Sequence, residues 1–418
     1  MPLSTRLDAA PHAGPSPRLA RRGAGGSLPP SHRTISERTV QILDTTLREG
    51  EQTPGVYFPP HGKLAIARAL SAFGVGVIEA GHPSVSPGIE AAVRSLSGAG
   101  LEARVAAHAR SLQDDVDLAL DCGVGFLGIF YCVSSARLDG VFKRSLNQAV
   151  DQICEVVRYA KERQPGLQVR YTPEDTVRSD FDNVVEAAAQ AVLAGADVIS
   201  VADTTGHMVP GKRSLYDYVS RLREALAARG AEPLLAVHCH DDRGLALANA
   251  LEAYRAGVDL VDATVLGIGE RAGLVDLAQL AVVLTTDFGE TSWQLDALPE
   301  LYRTVSTYSG VPIPRGFPIV GENAFTHCAG VHTHAATRNA VHYQSLDPAL
   351  VGREMKVSLD HMSGLSSVQY ALAKIGAEDA AEDAELSAAV LAEVKRVGEV
   401  GRTVLHQELL DILAFCRA

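Results

Sequence analysis

The chain has 418 residues, of which 46% are hydrophobic and 21% charged, and its formal net charge is −12. A body this acidic is a poor partner for nucleic acid, and no apolar run approaches the roughly 18 residues that a membrane span requires. Six scattered cysteines without a CxxC spacing exclude zinc-ribbon and thioredoxin-type chemistry and fit reduced thiols in the cytoplasm.

The charge is uneven. Residues 1–38 hold six arginines against Asp8 and Glu37, a net of +4 that leaves −16 for the rest. Rich in Pro, Gly, Ala and Ser and poor in large apolar side chains, this stretch is expected to be a disordered extension; an organelle transit peptide is the sharper reading of its arginines. From residue 40 onward, β-rich runs alternate with helical ones. The strand candidates are 40–46, 75–81, 102–109, 126–133, 167–175, 196–203, 234–241 and 260–267. Between them lie amphipathic, alanine-rich segments such as 146–163 and 214–230. Eight β-then-α units in a row indicate an α/β protein with a closed (β/α)8 TIM barrel. An open doubly wound sheet is the alternative, but no G-x-G-x-x-G turn follows the first strand.

The barrel is expected over 39–290, and the Pro/Gly-rich run YSGVPIPRGFPIVGENAF then opens a connector. Three further histidines follow in HCAGVHTHA (327–335), and amphipathic segments continue to the C-terminus. The expected division is therefore a linker and small subdomain over 291–375 and a helical appendage over 376–418.

In such a barrel, chemistry gathers at the carboxyl ends of the strands. Polar residues crowd there: LREGEQ after the first run, His108 closing the third, Arg170 to Glu174 finishing the fifth, Thr204 after the sixth, His238 and His240 on the seventh, and GIGERAG after the eighth. Alternation on a strand aims His238 and His240 the same way, so that they form half of a metal site. Glu49 supplies a carboxylate, and the set suits a divalent ion such as Zn, Mn, Mg, Co or Fe with positions left open. Each of these residues taken alone has a plainer reading: a packed histidine in a strand, or a glutamate capping the next helix. Arg48 would lie beside the ion, placed to stabilise an oxyanion on a carbonyl. Asp241 and Asp242 read as orienting carboxylates or helix caps. Arg170, Thr172 and Glu174 share one strand face, and a lumenal arginine requires a counter-charge from either Glu174 or a substrate carboxylate.

The segments DTTLREGEQTPG, HCHDD, GIGERAG and GENAFTHCAGVH together resemble the acyl-CoA-condensing branch of the DRE-TIM metallolyases, over roughly residues 39–375. That branch includes homocitrate, 2-isopropylmalate and citramalate synthases. The resemblance implies an acyltransferase that converts the acyl group into an alkyl group: a metal-dependent Claisen condensation of acetyl-CoA with a 2-oxo acid. It implies Glu49, His238 and His240 as metal ligands, Arg48 as electrophilic catalyst, and Gln52, His108, Arg170, Thr172 and Thr204 lining the oxo-acid site. Glu174 would also be catalytic. His332 and Tyr343 would reach the acetyl-CoA thioester of a partner subunit, in a homodimer with shared active sites.

Within the family, Arg170 and Ile268 match homocitrate synthases, which implies 2-oxoglutarate as the oxo acid. Asp241 in place of the usual asparagine, GERAG in place of GERNG, and Ala236 in place of a frequent glutamate depart from that pattern. They keep open a 2-phosphonomethylmalate, citrate-type or 2-isopropylmalate synthase. A carbon–carbon lyase acting on a 3-hydroxy-3-methylglutaryl thioester is the reading from another enzyme class. The glycine-flanked catalytic cysteine loop it needs is replaced by GIGERAG.

Overall fold

In the computed structural model, which describes residues 39–336, 339 and 342–418, eight parallel strands close into a barrel. They are β1 (Gln41–Asp44), β2 (Val77–Glu79), β3 (Arg104–Arg110), β4 (Phe126–Tyr131), β5 (Gln168–Pro173), β6 (Val198–Asp203), β7 (Leu234–Cys239) and β8 (Leu260–Ala263). They lie in sequential order, with β8 paired back onto β1. Each of the eight expected runs contains one of these strands, apart from a single residue at the end of β3. The extension expected over 1–38 lies outside the described residues.

One main helix follows each strand: α1 (Pro60–Phe73), α2 (Pro87–Ser97), α3 (Gln113–Asp121), α4 (Leu146–Arg163), α5 (Phe181–Leu193), α6 (Leu215–Ala227), α7 (Ala246–Arg255) and α8 (Leu277–Phe288). Their ends are written in the sequence. Ser145 and Gln148 form a capping box at α4, Ser86 and Ser214 cap α2 and α6, and Gly74 closes α1 in the left-handed region at φ 107°. On α4, Ala149, Val150, Ile153, Cys154, Val157 and Ala160 recur at helical spacing and are buried against the barrel.

The lumen is built in layers, because every second side chain of each strand points inward. Leu43, Val77, Ala106, Phe126, Val198, Ala236 and Leu260 meet there as an apolar floor. Two residues on, the same faces carry Thr45, Glu79, His108, Gly128, Ser200, His238 and Asp262, and Arg170 is level with Gly128. A packed apolar plug therefore supports a polar layer at the carboxyl end. Gly128 leaves room for that layer: a Cβ there would stand a tight 3.2 Å from His108 Nδ1 and in ordinary contact with Glu79 Oε1 at 3.5 Å.

Two expected boundaries shift. The barrel does not end at 290, because α9 (Leu298–Ser309) sends Leu298, Leu301 and Val305 into the main core. The Tyr302 hydroxyl in that helix donates to Asp276 Oδ2 at 2.7 Å and accepts from the Ala278 N–H at 2.7 Å. Beyond it, β9 (Thr326–His327) pairs in parallel with β10 (Lys356–Val357), and α10 (Gly330–Ala336) lies between them in sequence. The C-terminal module does not start at 376 either. Helices α11 (Leu365–Lys374), α12 (Glu378–Glu382), α13 (Ala384–Gly398) and α14 (His406–Arg417) enclose one core. Leu359, Val368 and Leu372 share it with Val390, Val394, Leu409 and Leu413, so a cut at 375 would split a single hydrophobic cluster. Among the described residues no helix is long and apolar enough to cross a membrane, and all six cysteines are free.

Burial raises the Asp276 carboxyl to about 6, even though Gln279, Tyr302 and Ala278 donate to it. A carboxyl raised by folding stabilises the protein while protonated and loses that contribution as pH rises through the interval from the unfolded value to about 6. The unfolding free energy of wild type relative to Asp276→Asn should therefore fall by up to about 3 kcal/mol between about pH 4 and 6 and be flat above. A pH-independent difference between the two thermal-denaturation series would contradict this.

Candidate active site

The polar layer opens into a cavity of about 300 Å³ at the carboxyl end of the barrel. Ten of the twelve residues nominated from the sequence line it: Arg48, Glu49, Gln52, His108, Arg170, Thr172, Glu174, Thr204, His238 and His240. His332 and Tyr343 are not among its lining residues. Their ring centroids lie 4.4 Å apart with the planes tilted by 35°, and both side chains are exposed.

The turn after β1 supplies Glu49, and the end of β7 with the residue that follows it supplies His238 and His240. Donor atoms of Glu49, His238 and His240 all lie within 4.8 Å of one another. The two histidines face each other through their Nε2 atoms at 3.3 Å, and His240 Nε2 is 3.9 Å from Glu49 Oε1. Two nitrogens bound to one ion at about 2.1 Å with an angle near 105° stand this far apart. Burial, reinforced by His238, lowers the His240 imidazole to about 4, leaving it neutral and able to coordinate at neutral pH. Asp262 Oδ2 lies 2.9 Å from His238 Nδ1, which assigns the proton to that nitrogen and leaves Nε2 as the donor atom toward an ion.

The charge inventory points the same way. Glu49, Glu79 and Asp262 are buried with two guanidiniums, those of Arg48 and Arg170, so the cluster carries one uncompensated negative charge. A divalent cation fits that excess and the mixed O/N donor set.

Arg48 contacts Glu49 and donates from Nε to Glu79 Oε2 at 2.6 Å. Burial opposes its charge, but Glu79 and Glu49 more than offset this and raise its pKa further. Glu79 is likewise disfavoured as an anion by burial, yet Arg48, His108 and Arg170 hold it well below the usual carboxylate range. His108 Nδ1 lies 3.2 Å from Glu79 Oε1, and its ring stacks on Phe130 at 4.7 Å. Burial and the nearby Arg48 lower this histidine to about 4. The Gln52 amide lies 2.9 Å from Glu49 Oε1 once its NH2 is turned to donate.

Arg170 is the main correction. Neither Glu174 nor an open cavity neutralises it. Nη1 donates to both carboxylate oxygens of Asp262 at 2.8 and 3.0 Å, and Nη2 approaches Glu79 Oε1 at 3.4 Å. Glu174 instead accepts from Arg137 at 3.0 Å, near the rim. Thr204 Oγ1 accepts from the Asp175 N–H at 3.0 Å. Asp241 accepts from the Ala246 N–H and so caps α7, while Asp242 pairs with Arg271 at 2.8 Å; orienting a histidine falls to Asp262. In the loop after β8, a Cβ on Gly273 would lie 1.7 Å from the Gly267 carbonyl oxygen, at φ +81°, so the second glycine of GERAG is a steric necessity. The same loop gives Glu49 Oε1 a hydrogen bond from the Glu270 N–H at 3.2 Å.

Sequence reasoning missed Glu79, Asp262, Ser200 and His82, all at or near the cavity. The first two carried a signal: each is an acid on the inward face of an otherwise apolar strand, where an unpaired carboxylate is costly. Asp262→Ala should strip a partner from both Arg170 and His238. It should cost about 3–5 kcal/mol in denaturant unfolding and weaken metal affinity about 10–100-fold in equilibrium dialysis. Unchanged values in both measurements would contradict the shared-carboxylate geometry.

An HMGL-like family model matches residues 39–305, and a homocitrate synthase post-HMGL domain-like model matches 319–402. The chain is 43% identical over 338 residues to homocitrate synthase of Pyrococcus horikoshii, covering 81% of this chain and 91% of that one. It is 38% identical over 375 residues to homocitrate synthase AksA of Methanopyrus kandleri, covering 90% and 91%. Its identity to 2-isopropylmalate synthase of Methanocaldococcus jannaschii is 35% over 376 residues, covering 90% and 71%. Among solved structures, hydroxymethylglutaryl-CoA lyase from Pseudomonas aeruginosa superposes with a TM-score of 0.55 at 24% identity, over 66% of this chain and 94% of that one, a likeness of fold.

Proposed function

The chain belongs to the HMGL-like family and continues into a homocitrate synthase post-HMGL region, and from this membership we propose that it condenses acetyl-CoA with 2-oxoglutarate to give homocitrate and CoA. The observation that carries the reading is the cavity itself, where a Glu49–His238–His240 ligand set lies beside Arg48 and above a buried, charge-compensated Arg170.

Glu49, His238 and His240 would hold a divalent ion, which when bound would supply Lewis-acid polarisation of the 2-oxo group. The chain's own residues do the remaining work. Arg48, charged at every working pH, faces the ketone oxygen and stabilises the negative charge that gathers there as the new bond forms. Gln52 and His108 bound the oxo-acid end, and Thr172, Thr204 and Arg170 bound the far end. The methyl group of acetyl-CoA gives up a proton and its carbon bonds to the ketone carbon. The ketone oxygen gains a proton, and water then cleaves the thioester to release the CoA thiol. Glu174, held at the rim by Arg137, and the His332–Tyr343 pair are assigned to the proton transfers near the thioester. We assign His332 and Tyr343 to the cavity of a second copy in a homodimer, since both are exposed and neither lines the cavity of its own chain.

Thiol trapping should show CoA release that needs both 2-oxoglutarate and a divalent ion, stops with chelator, and drops by at least about 100-fold in Arg48→Ala. Release with 2-oxoisovalerate or pyruvate but not with 2-oxoglutarate would overturn the substrate assignment.

A further inference from the structure

One buried cation lies outside the proposed chemistry. Lys63 stands on α1 with its side chain 3% exposed, and its ammonium donates to Glu51 Oε2 at 2.6 Å and to the Leu47 carbonyl oxygen at 3.1 Å. A longer contact of 3.5 Å reaches the Ala80 carbonyl oxygen. Its three N–H groups thus meet three acceptors: two in the loop after β1 and one just past the end of β2. Glu51 in turn accepts from the Phe58 N–H at 3.0 Å through its other oxygen.

Packing does not account for a lysine at this position. The buried face of α1 is otherwise made of Ile66, Ala67, Leu70 and Phe73, and burial works against the charge of the ammonium. An apolar pair of similar volume in place of Lys63 and Glu51 would be no less stable by the usual balance of desolvation against attraction. What sets the pair apart is where its contacts fall along the chain. Leu47 and Glu51 bracket Arg48 and Glu49, and Ala80 follows Glu79. The Arg48–Glu79 ion pair, 2.6 Å long, therefore has a carbonyl approached by the same ammonium next to each of its members. Thr46 and Thr53 tie the loop to the β8 side, through the Val265 N–H at 2.9 Å and the Gly269 carbonyl at 3.1 Å. On the β2 side, Thr45 and Arg48 bind the Glu79 carboxylate, and Lys63 holds the backbone on which Arg48 and Glu79 are mounted.

We infer that Lys63 is a positioning residue of the active site, an ammonium that clamps the Leu47–Glu51 loop to the end of β2 and so sets where Arg48 and Glu49 stand. The inference rests on the proposed condensation and adds to it a residue that touches neither substrate nor ion. A shift of about 1 Å in a catalytic group costs on the order of 100-fold in rate. Groups that stand behind a metal ligand and orient it are worth about 10–100-fold in metal affinity. Because Arg48 and Glu49 are neighbours on one loop, a single clamp acts on both quantities.

The test compares wild type with Lys63→Met, which keeps the side-chain length and removes the donors, and with Lys63→Met/Glu51→Gln, which also removes the carboxylate left unpaired. Mn²⁺ affinity is measured by equilibrium dialysis without substrate. Steady-state kinetics are run at saturating Mn²⁺, below each protein's melting temperature, on whichever oxo acid the wild type turns over. Lys63→Met should lower kcat about 100-fold and weaken Mn²⁺ binding about 10-fold or more. The KM for the oxo acid should change far less, because Arg48 acts on the transition state. The double variant should melt higher than Lys63→Met and keep both defects, since stability is returned without the clamp. Recovery of kcat and Mn²⁺ affinity together with the melting temperature overturns the inference, as do wild-type values of both in Lys63→Met. If neither lysine variant is recovered folded, Glu51→Gln decides: it should show smaller losses in both quantities, and wild-type values overturn the inference. A wild type that turns over another oxo acid defeats the 2-oxoglutarate assignment alone, and the ratios of variant to wild type still test Lys63.

Discussion

One buried carboxylate ties the two halves of the cavity together. Asp262, with no solvent exposure, accepts from Arg170 through both oxygens and faces His238 Nδ1 through one of them. The candidate ligand set, after β1 and at the end of β7, and the wall proposed to meet the oxo acid, on β5 and β6, are therefore oriented by the same group. Taking Asp262 out of water is costly, and the cost is offset only while both partners are in place. That reciprocity fixes the histidine tautomer and the arginine position together, and it explains why the polar layer sits on a plug of close-packed apolar side chains.

Electrostatics then restricts what the cavity accepts. In the buried cluster Glu49, Glu79 and Asp262 outnumber the guanidiniums of Arg48 and Arg170 by one, a balance that a bound divalent ion would turn positive, toward an anionic substrate. Arg48 and Glu79 each hold the other's charge against burial. In this arrangement Arg170 acts as part of the floor, its charge met by Asp262 and Glu79 before any substrate arrives.

Much of this was readable from the residues, and the reasons differ from case to case. The eight strands stand out because a parallel barrel buries both strand faces, so that runs such as Val198–Asp203 are buried throughout and mostly apolar until they reach the mouth. The ligand set was readable because His-x-His on a strand and Glu49 after a strand mark the carboxyl end directly. Asp262 and Glu79 were harder, since their partner Arg170 is about ninety residues away from each and the pairing depends on barrel closure. Ser200 carried no sequence signal, because a serine inside an apolar strand reads as tolerated packing until its hydroxyl is seen to lack a partner. The start of the helical module near 365 was hidden for a similar reason: Val368 and Leu372 declare their core only once α13 and α14 are in place.

The central claim is that metal and 2-oxo dicarboxylate are recognised by one coupled network. It is tested most directly by titration calorimetry of 2-oxoglutarate and 2-oxoisovalerate, without acetyl-CoA, into chelator-treated protein and into the same protein reloaded with Mn²⁺. Binding of 2-oxoglutarate should appear only after reloading, and at least about 10-fold more tightly than binding of 2-oxoisovalerate. Equal affinity for 2-oxoglutarate with and without the metal, or equal affinity for the two acids, would contradict it.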